Sequence, residues 1–473
     1  MNILLITSED NGPHLGCYGD PYAQTPHLDQ LAAEGTRFTN AYATQAVCSP
    51  GRASILTGLF PHQNGQIGLA THHFSMYREF PTIPSLLKAA GYRTGRIGKL
   101  HVLPESASPF DMVWNPLEYW SFNHRDVRQA AQVAGEFFSA SSQPFFLMMN
   151  FPDAHLPWLP QDKGCPASLL TAKDVEMPPG VGCDSERLRA YAADYYNCLN
   201  RLDIGIGMTL EALKQANKVA DTLVIYIADH GPQFSRGKGC SYELSLRVPL
   251  IIRWPEKAVA PRVRPELVSQ IDVLPTICEA AGIPLPPGLP GCSLSPLMAG
   301  ETAVWREVLF AEWTTSHPYP LPSLFYPQRS VRDQRYKLIH NLMPDVLNPV
   351  ETYYTQQVLI DTSCSQEEID AAPEPVRAAY SRWRNPSEIE LYDLREDPWE
   401  YVNLADDPRY ATIRSSLLNV LHTWQLQTHD PLIDSMNVAE LAREHEAASA
   451  LKGGHTDPHF RWGYLDKFAH SST

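Results

Sequence analysis

The sequence predicts an α/β chain built on a doubly wound, mostly parallel sheet flanked by helices, with a smaller C-terminal α+β subdomain. Three observations carry this. Continuous apolar runs end in polar residues, the pattern of strands buried on both faces. Such runs alternate with helical patterns, which implies right-handed crossovers. A proline-rich stretch, 284–296, then divides this alternation from shorter strand-like runs.

Taken in order, Asn2 to Ile6 is the first apolar run, followed by Ser8-Glu9-Asp10. Thr25-Pro26-His27 opens a helix with a cap and an N1 proline, Leu28 and Leu31 give it a buried face, and Gly35 closes it. Residues 84–90 form a helix ended by Gly91, and 93–97 a strand. Residues 127–140 form a helix, 144–150 an apolar strand, and 187–218 a long helix. Thr222 to Ala228 is a buried strand ending at Asp229-His230. Beyond the prolines, 307–313, 329–340 and 388–394 are strands of a smaller sheet, and 410–427 is its helix. Three units follow: a main domain over 1–300, an antiparallel-sheet subdomain over 301–430, and an arm over 431–473. The arm is polar with little periodicity, so it wraps the molecule, joins a partner subunit in a homo-oligomer, or frays.

In doubly wound sheets, chemistry gathers beyond the carboxyl ends of the strands. Glu9, Asp10, His155, Asp229 and His230 all fall at or just past such ends. The 473 residues, 44% of them hydrophobic, suffice for a large core. With 38 Lys and Arg against 53 Asp and Glu, the net charge of -15 argues against a nucleic-acid partner. An anionic substrate therefore needs a local cationic pocket. No apolar run of about 18 residues appears, so no membrane partner is expected. Met1 leads straight into a strand without a basic leader, which predicts a cytoplasmic protein with no signal peptide. Nine scattered cysteines without a C-x-x-C pair suit free thiols in a reducing compartment.

Cys48-Ser49-Pro50-Gly51-Arg52, followed by Thr57-Gly58, is the most specific stretch. A cysteine, proline and arginine at this spacing arise by chance in such a chain only about a few per cent of the time. The stretch resembles the C-x-P-x-R…T-G signature of type I sulfatases, in the alkaline phosphatase superfamily. The resemblance runs through Thr25 to Asp29, Gly98-Lys99-Leu100-His101, Asp229-His230-Gly231 and Leu391 to Leu394. His62 to Gly65, His72-His73-Phe74, Arg329-Ser330-Val331, His340-Asn341-Leu342 and 424–431 are similar to the N-sulfoglucosamine sulfohydrolase (heparan sulfamidase) branch.

This resemblance implies a hydrolase that releases sulfate from a small sulfated sugar, by cleaving a sulfuric ester or sulfamate. A maturation enzyme, the formylglycine-generating enzyme or an equivalent, would oxidise Cys48 to Cα-formylglycine. In its hydrate, one hydroxyl attacks sulfur, and the other drives collapse of the hemiester to expel sulfate. Glu9, Asp10, Asp229, His230 and position 48 would hold one divalent cation, Ca²⁺ by resemblance with Mn²⁺ and Mg²⁺ as rivals. Arg52 would brace the diol, Lys99 and His101 contact it, and His101 act as base for the collapse. His155 and Lys238 would grip the sulfate, with His155 protonating the leaving atom. His72 and His73 are candidate sugar contacts. Arg329 and His340 either reach the rim of the site or pack the small sheet.

Two positions depart from the family pattern, which has Asp where this chain has Glu9 and Asn where it has His230. The histidine is similar to phosphonate monoester hydrolases and keeps open a phosphonate monoester or phosphodiester hydrolase with promiscuous arylsulfatase activity. A carbohydrate O-sulfatase is a further alternative, and so is a silent binding protein that keeps Cys48 as a thiol.

Overall fold

The computed structural model describes residues 1–140, 142–255, 257, 262–301, 304–318, 323–357, 362–451, 457 and 459–469. Its main sheet has eight strands: β1 (Asn2–Ser8), β2 (Thr36–Tyr42), β3 (Arg93–Ile97), β4 (Met112–Trp114), β5 (Phe145–Phe151), β6 (Thr222–Ala228), β7 (Arg247–Arg253) and β8 (Arg262–Ser269). They lie in the order β4-β3-β5-β1-β6-β7-β2-β8. Only β7 runs antiparallel to its neighbours, β6 and β2, so the sheet is mostly parallel, as the apolar runs imply.

Alternation along β1 shows why both faces are covered. Leu4 and Ile6 point into one core with the helices Val127–Ser139 and Glu186–Gln215. Ile3 and Leu5 point into the other, with helix Val273–Ala281 and α2 (Cys48–Thr57). The helix α1 (Pro26–Glu34) begins after Thr25 as expected, but its cap differs. Thr25 Oγ1 accepts from the Gly16 backbone N–H instead, and Asp203 accepts from the N–H groups of His27 and Leu28. A residue 175 positions away supplies the cap that the local sequence seemed to provide.

The second sheet has four antiparallel strands in the order β12-β11-β10-β9: β9 (Leu309–Trp313), β10 (Gln328–Arg332), β11 (Tyr336–Asn341) and β12 (Ile389–Asp393). The single run expected over 329–340 is therefore a hairpin, turned where Asp333 Oδ1 accepts from the N–H groups of Arg335 and Tyr336. One face carries Val331, Leu338 and Leu391 against helix Ala411–Gln427. Ile339 and Tyr392 on the other face join the core of the large sheet.

The final stretch is neither frayed nor extended where it is described. Ser435–Ala450 is a helix, and Val438, Leu441 and Ala448 pack with Trp462 and Tyr464 on Ile67, Phe74 and Phe325. The Tyr464 hydroxyl donates to Gly65 O (2.9 Å) and Trp462 Nε1 to His72 O (2.8 Å). The stretch thus clasps the loop 65–76 of its own chain; residues 452–456, 458 and 470–473 lie outside the described residues. No described helix is long and apolar enough to cross a membrane, and no disulfide joins the nine cysteines.

Candidate active site

Register brings the strand-end residues together. β1 lies between β5 and β6, with Ser8 beside both Phe151 and Ala228. Glu9 and Asp10 therefore emerge next to Asp229 and His230, and His155 follows from the other side. α2 delivers Cys48 at its first turn, every one of its ten residues buried. Gly51 makes this approach possible, because a Cβ there would lie 2.7 Å from Asp229 O. From β3, Gly98 at φ 85° turns the chain so that Lys99 and His101 enter the same space. A Cβ on Gly98 would meet Asn150 O at 2.6 Å.

Four residues form the tightest group: ligand atoms of Asp10, Cys48, Asp229 and His230 lie within 4.8 Å of one another. Asp10 N–H donates to Asp229 Oδ1 (3.0 Å), and His230 Nε2 is 3.1 Å from Asp10 Oδ1 and 3.5 Å from Cys48 Sγ. The Nδ1–H of His230 is committed to Gly231 O (2.9 Å), which leaves Nε2 to face the carboxylates. Burial pulls the His230 pKa down, yet Asp229 and Asp10 hold it up to about 10. The two carboxylates thus demand positive charge between them. Burial, with Cys48 and Asp10 close by, pushes the Asp229 carboxyl above its usual range despite His230 and Arg52. The donor set of two carboxylates, an imidazole with its second nitrogen already oriented, and position 48 fits one divalent cation.

Glu9 stands apart from this group. Its Oε2 accepts from Lys99 Nζ (2.6 Å), its Oε1 from Asn150 Nδ2 (2.8 Å), and it clusters with Cys48 and His155. The five expected ligands therefore divide into a set of four and a separate Glu9, because the longer side chain reaches past the cluster to Lys99. Arg52 also serves the acids: Nε donates to Asp229 Oδ2 (3.2 Å), Nη2 to Asn150 Oδ1 (2.5 Å) and Nη1 to Lys99 O (3.3 Å). Its hydrogen bonds brace the carboxylates, whereas the sequence reading aimed it at position 48.

A cavity of about 460 Å³ opens over this cluster, lined by Cys48, Lys99, His101, His155 and Lys238. Lys238 Nζ donates to Asp10 Oδ2 (2.7 Å) and lies 4.0 Å from Cys48 Sγ. Burial would raise the Cys48 thiol, but Lys238, Lys99 and the imidazoles of His101 and His155 hold it well below the ordinary thiol range. An anion at position 48 is stabilised by its surroundings. His101 is pulled down to about 4 by burial and Lys99, with Cys48 opposing, so its ring is neutral at pH 7 and faces position 48. His155 donates Nδ1–H to Leu156 O (2.6 Å) and stacks on Phe122 at 4.0 Å, so Nε2 is the nitrogen free to act.

The expected sugar contacts fare differently. Arg329 is fully buried, bound by Asp430 at 2.6 and 2.9 Å, and does not line the cavity. Of the two placements open to it, rim of the site or packing of the small sheet, Arg329 takes the second, which corrects its candidacy for substrate binding. His340 stands beside it in register and is 3.8 Å from Glu388. His72 and His73 are not among the lining residues; His72 stacks on His317 (5.0 Å) and His73 lies against Phe460 (6.1 Å), while their neighbours Leu69 and Thr71 do line the cavity. Arg96, Glu105, Asn115 and Phe122 line it without having been singled out. The aromatic run 119–122, close after β4, was the available signal.

Residues 1–283 match the sulfatase family, and residues 234–354 match the N-sulphoglucosamine sulphohydrolase C-terminal family. Over 478 residues the chain is 33% identical to human N-sulphoglucosamine sulphohydrolase, covering 91% of each. Among solved structures it is similar to a protein in complex with its substrate D-glucosamine-2-N,6-O-disulfate (TM-score 0.64, 21% identity, 90% of this chain and 97% of the other). It is similar to the phosphonate monoester hydrolase of Silicibacter pomeroyi as well (TM-score 0.67, 19% identity, 92% and 96%).

Proposed function

The chain belongs to the sulfatase family and is a hydrolase, and on that premise we propose that it releases sulfate from a sulfated sugar of the N-sulfoglucosamine kind. One observation supports the proposal: Cys48 is held at a buried helix start between a converging set of metal-type donors, Asp10, Asp229 and His230, and a pocket lined by Lys99, Lys238, His101 and His155. Asp10, Asp229, His230 and position 48 would hold one divalent cation, Ca²⁺ first with Mn²⁺ and Mg²⁺ as rivals. When bound, the cation would supply positive charge that polarises a sulfuryl oxygen. Sγ of Cys48 marks the place of the formylglycine hydrate that maturation would install.

The other roles follow from the chain's own groups. The start of α2 and the cations around position 48 favour a negative oxygen there. Lys99 and Lys238 would draw in the sulfate and align it with position 48. His155, with Nδ1–H fixed on Leu156 O, would give the Nε2 proton to the leaving nitrogen or oxygen. His101, neutral at pH 7, would take the proton from position 48 when sulfate departs. Phe122 and Trp120 would exclude water from the pocket wall.

The test is a panel of N-, 2-O- and 6-O-sulfated saccharides beside an aryl sulfate and an aryl phosphonate. The proposal expects the N-sulfated sugar to give the highest kcat/KM. His230 among the ligand atoms supports a second reading, phosphonate monoester hydrolysis, which requires aryl phosphonate to outrun aryl sulfate. The mass of the Cys48 peptide from the native host is the companion measurement; a thiol in every copy would sink the diol mechanism.

A further inference from the structure

The cavity holds three cations, and they are not equivalent. Lys99 is paired with Glu9 and Lys238 with Asp10, both beside position 48. Arg96 lines the same cavity from β3, three residues before Lys99. Its guanidinium has no hydrogen bond and no ion pair within 4 Å among the described residues, and its Nε is buried without a partner. Phe110 lies near its charge at 5.7 Å, and the acid that attracts it, Glu105 on the cavity wall, makes no ion pair with it within 4 Å. Alternation explains the placement: Ile97 enters the core with Phe137, while Arg96 extends to the opposite face.

A half-buried guanidinium costs desolvation energy that the distant Phe110 ring and Glu105 offset only in part, since burial outweighs Glu105 in its electrostatics. An arginine fork matches the oxygens of a sulfate or carboxylate, two at a time. The cavity of about 460 Å³ is also larger than a single sulfate group needs. Resting on the sulfated-sugar reading, we propose that Arg96 is a specificity residue that binds a second anionic group of the substrate, so that the preferred substrate is a sulfated sugar bearing a further sulfate or a carboxylate.

The test uses the full, metal-loaded, mature enzyme and three substrates: N-sulfoglucosamine, its 2-N,6-O-disulfate, and N-sulfoglucosamine linked to a uronic acid. Wild type, Arg96→Gln and Arg96→Lys are compared by kcat/KM, and binding is measured calorimetrically in a Cys48→Ala background. Arg96→Gln should lower the preference for a dianionic over the monoanionic sugar at least tenfold, mainly through KM, and Arg96→Lys should recover part of it. A fall confined to the disulfate identifies the partner as sulfate, and one confined to the uronate as carboxylate. Ratios within twofold of wild type on both arms overturn the role of Arg96 while leaving sulfatase activity standing. A wild-type enzyme that neither binds nor hydrolyses any of the three overturns both readings.

Discussion

At the ends of β1 and β6, Glu9, Asp10 and Asp229 meet Arg52, Lys99, Lys238 and His230; beside β10, Arg329 meets Asp430 and Glu312, with His62 bound to Glu312 at 2.5 Å. Both clusters are buried, yet they are finished differently. Around Arg329 the fork is closed by both Asp430 oxygens, Gln425 adds a donor to Asp430, and neither Arg329 nor Asp430 lines the cavity. At the strand ends, two carboxylates crowd around an imidazole, and the cations lean across the mouth of a cavity. In the first cluster the Arg329–Asp430 pair is closed on itself, away from the cavity, and holds the fold together. The second is complete only when something else arrives, and that difference separates a structural use of buried charge from a functional one.

The largest effect expected from breaking this contrast is on rate. Cys48→Ala should lower kcat by at least about 10⁴-fold, as removal of a nucleophile does when the rest of the site persists. Its thermal midpoint should match or exceed that of wild type, because a crowded group leaves the cluster. An unchanged kcat in a homogeneous preparation would remove position 48 from the mechanism.

The closed cluster should respond in stability. Asp430→Leu strands the buried Arg329 charge and should cost about 3–5 kcal/mol, read by denaturant unfolding. The double variant Arg329→Met/Asp430→Leu should regain most of that, since an apolar pair of similar size avoids the desolvation of both charges. KM for the sugar should stay near wild type in the double variant. A large rise in KM would return Arg329 to the substrate site.

These two clusters also show what was legible in the sequence. Acids after apolar runs were visible because β1 and β6 are buried on both faces, and their parallel pairing follows from the crossover rule. The pairing of Glu9 with Lys99, in a group apart from Asp10, Asp229 and His230, was not legible because spacing gives no account of side-chain reach. The place of Arg329 stayed open because its partner lies 101 positions on, and a buried cation looks the same in sequence as an exposed one. β7 and β8 escaped notice for a local reason. Pro249 and Pro265 interrupt β7 and β8, and both fall near the irregular register of β2, where a missing N–H is tolerated. The C-terminal helix escaped because its buried stripe is short and includes a histidine.

A smaller effect separates the clusters by ligand. Adding the divalent cation at 100 times its dissociation constant should stabilise wild type by about 2.7 kcal/mol. Asp229→Asn should abolish that increment, and Arg329→Met/Asp430→Leu should keep it, both read as shifts of thermal midpoint after dialysis against chelator. An equal increment in Asp229→Asn would place the ion elsewhere.

The smallest effect concerns a third buried group, which bears on the wall of the cavity through the C-terminal helix. His445 donates Nδ1–H to Leu441 O (2.8 Å) and is packed among Phe74, Phe325 and Trp462, where its Nε2 has no partner among the described residues. Burial lowers its pKa to about 4 from an ordinary 6.5, with the Leu441 carbonyl opposing only in part. The unfolded chain therefore binds more protons than the folded one between these values. Its contribution is present above about pH 6.5 and is lost as pH falls toward 4, reaching about 2 kcal/mol at pH 5. Because Trp462 and Tyr464 pack with this helix and bond His72 O and Gly65 O, the loss should first appear as hydrogen exchange in residues 65–76 and 435–450. His445→Phe should flatten that pH dependence while leaving the acid loss of the strand-end cluster intact. Exchange in the two segments that stays flat from pH 7 to 5 in wild type would show that the helix and the cavity wall are not coupled through this ring.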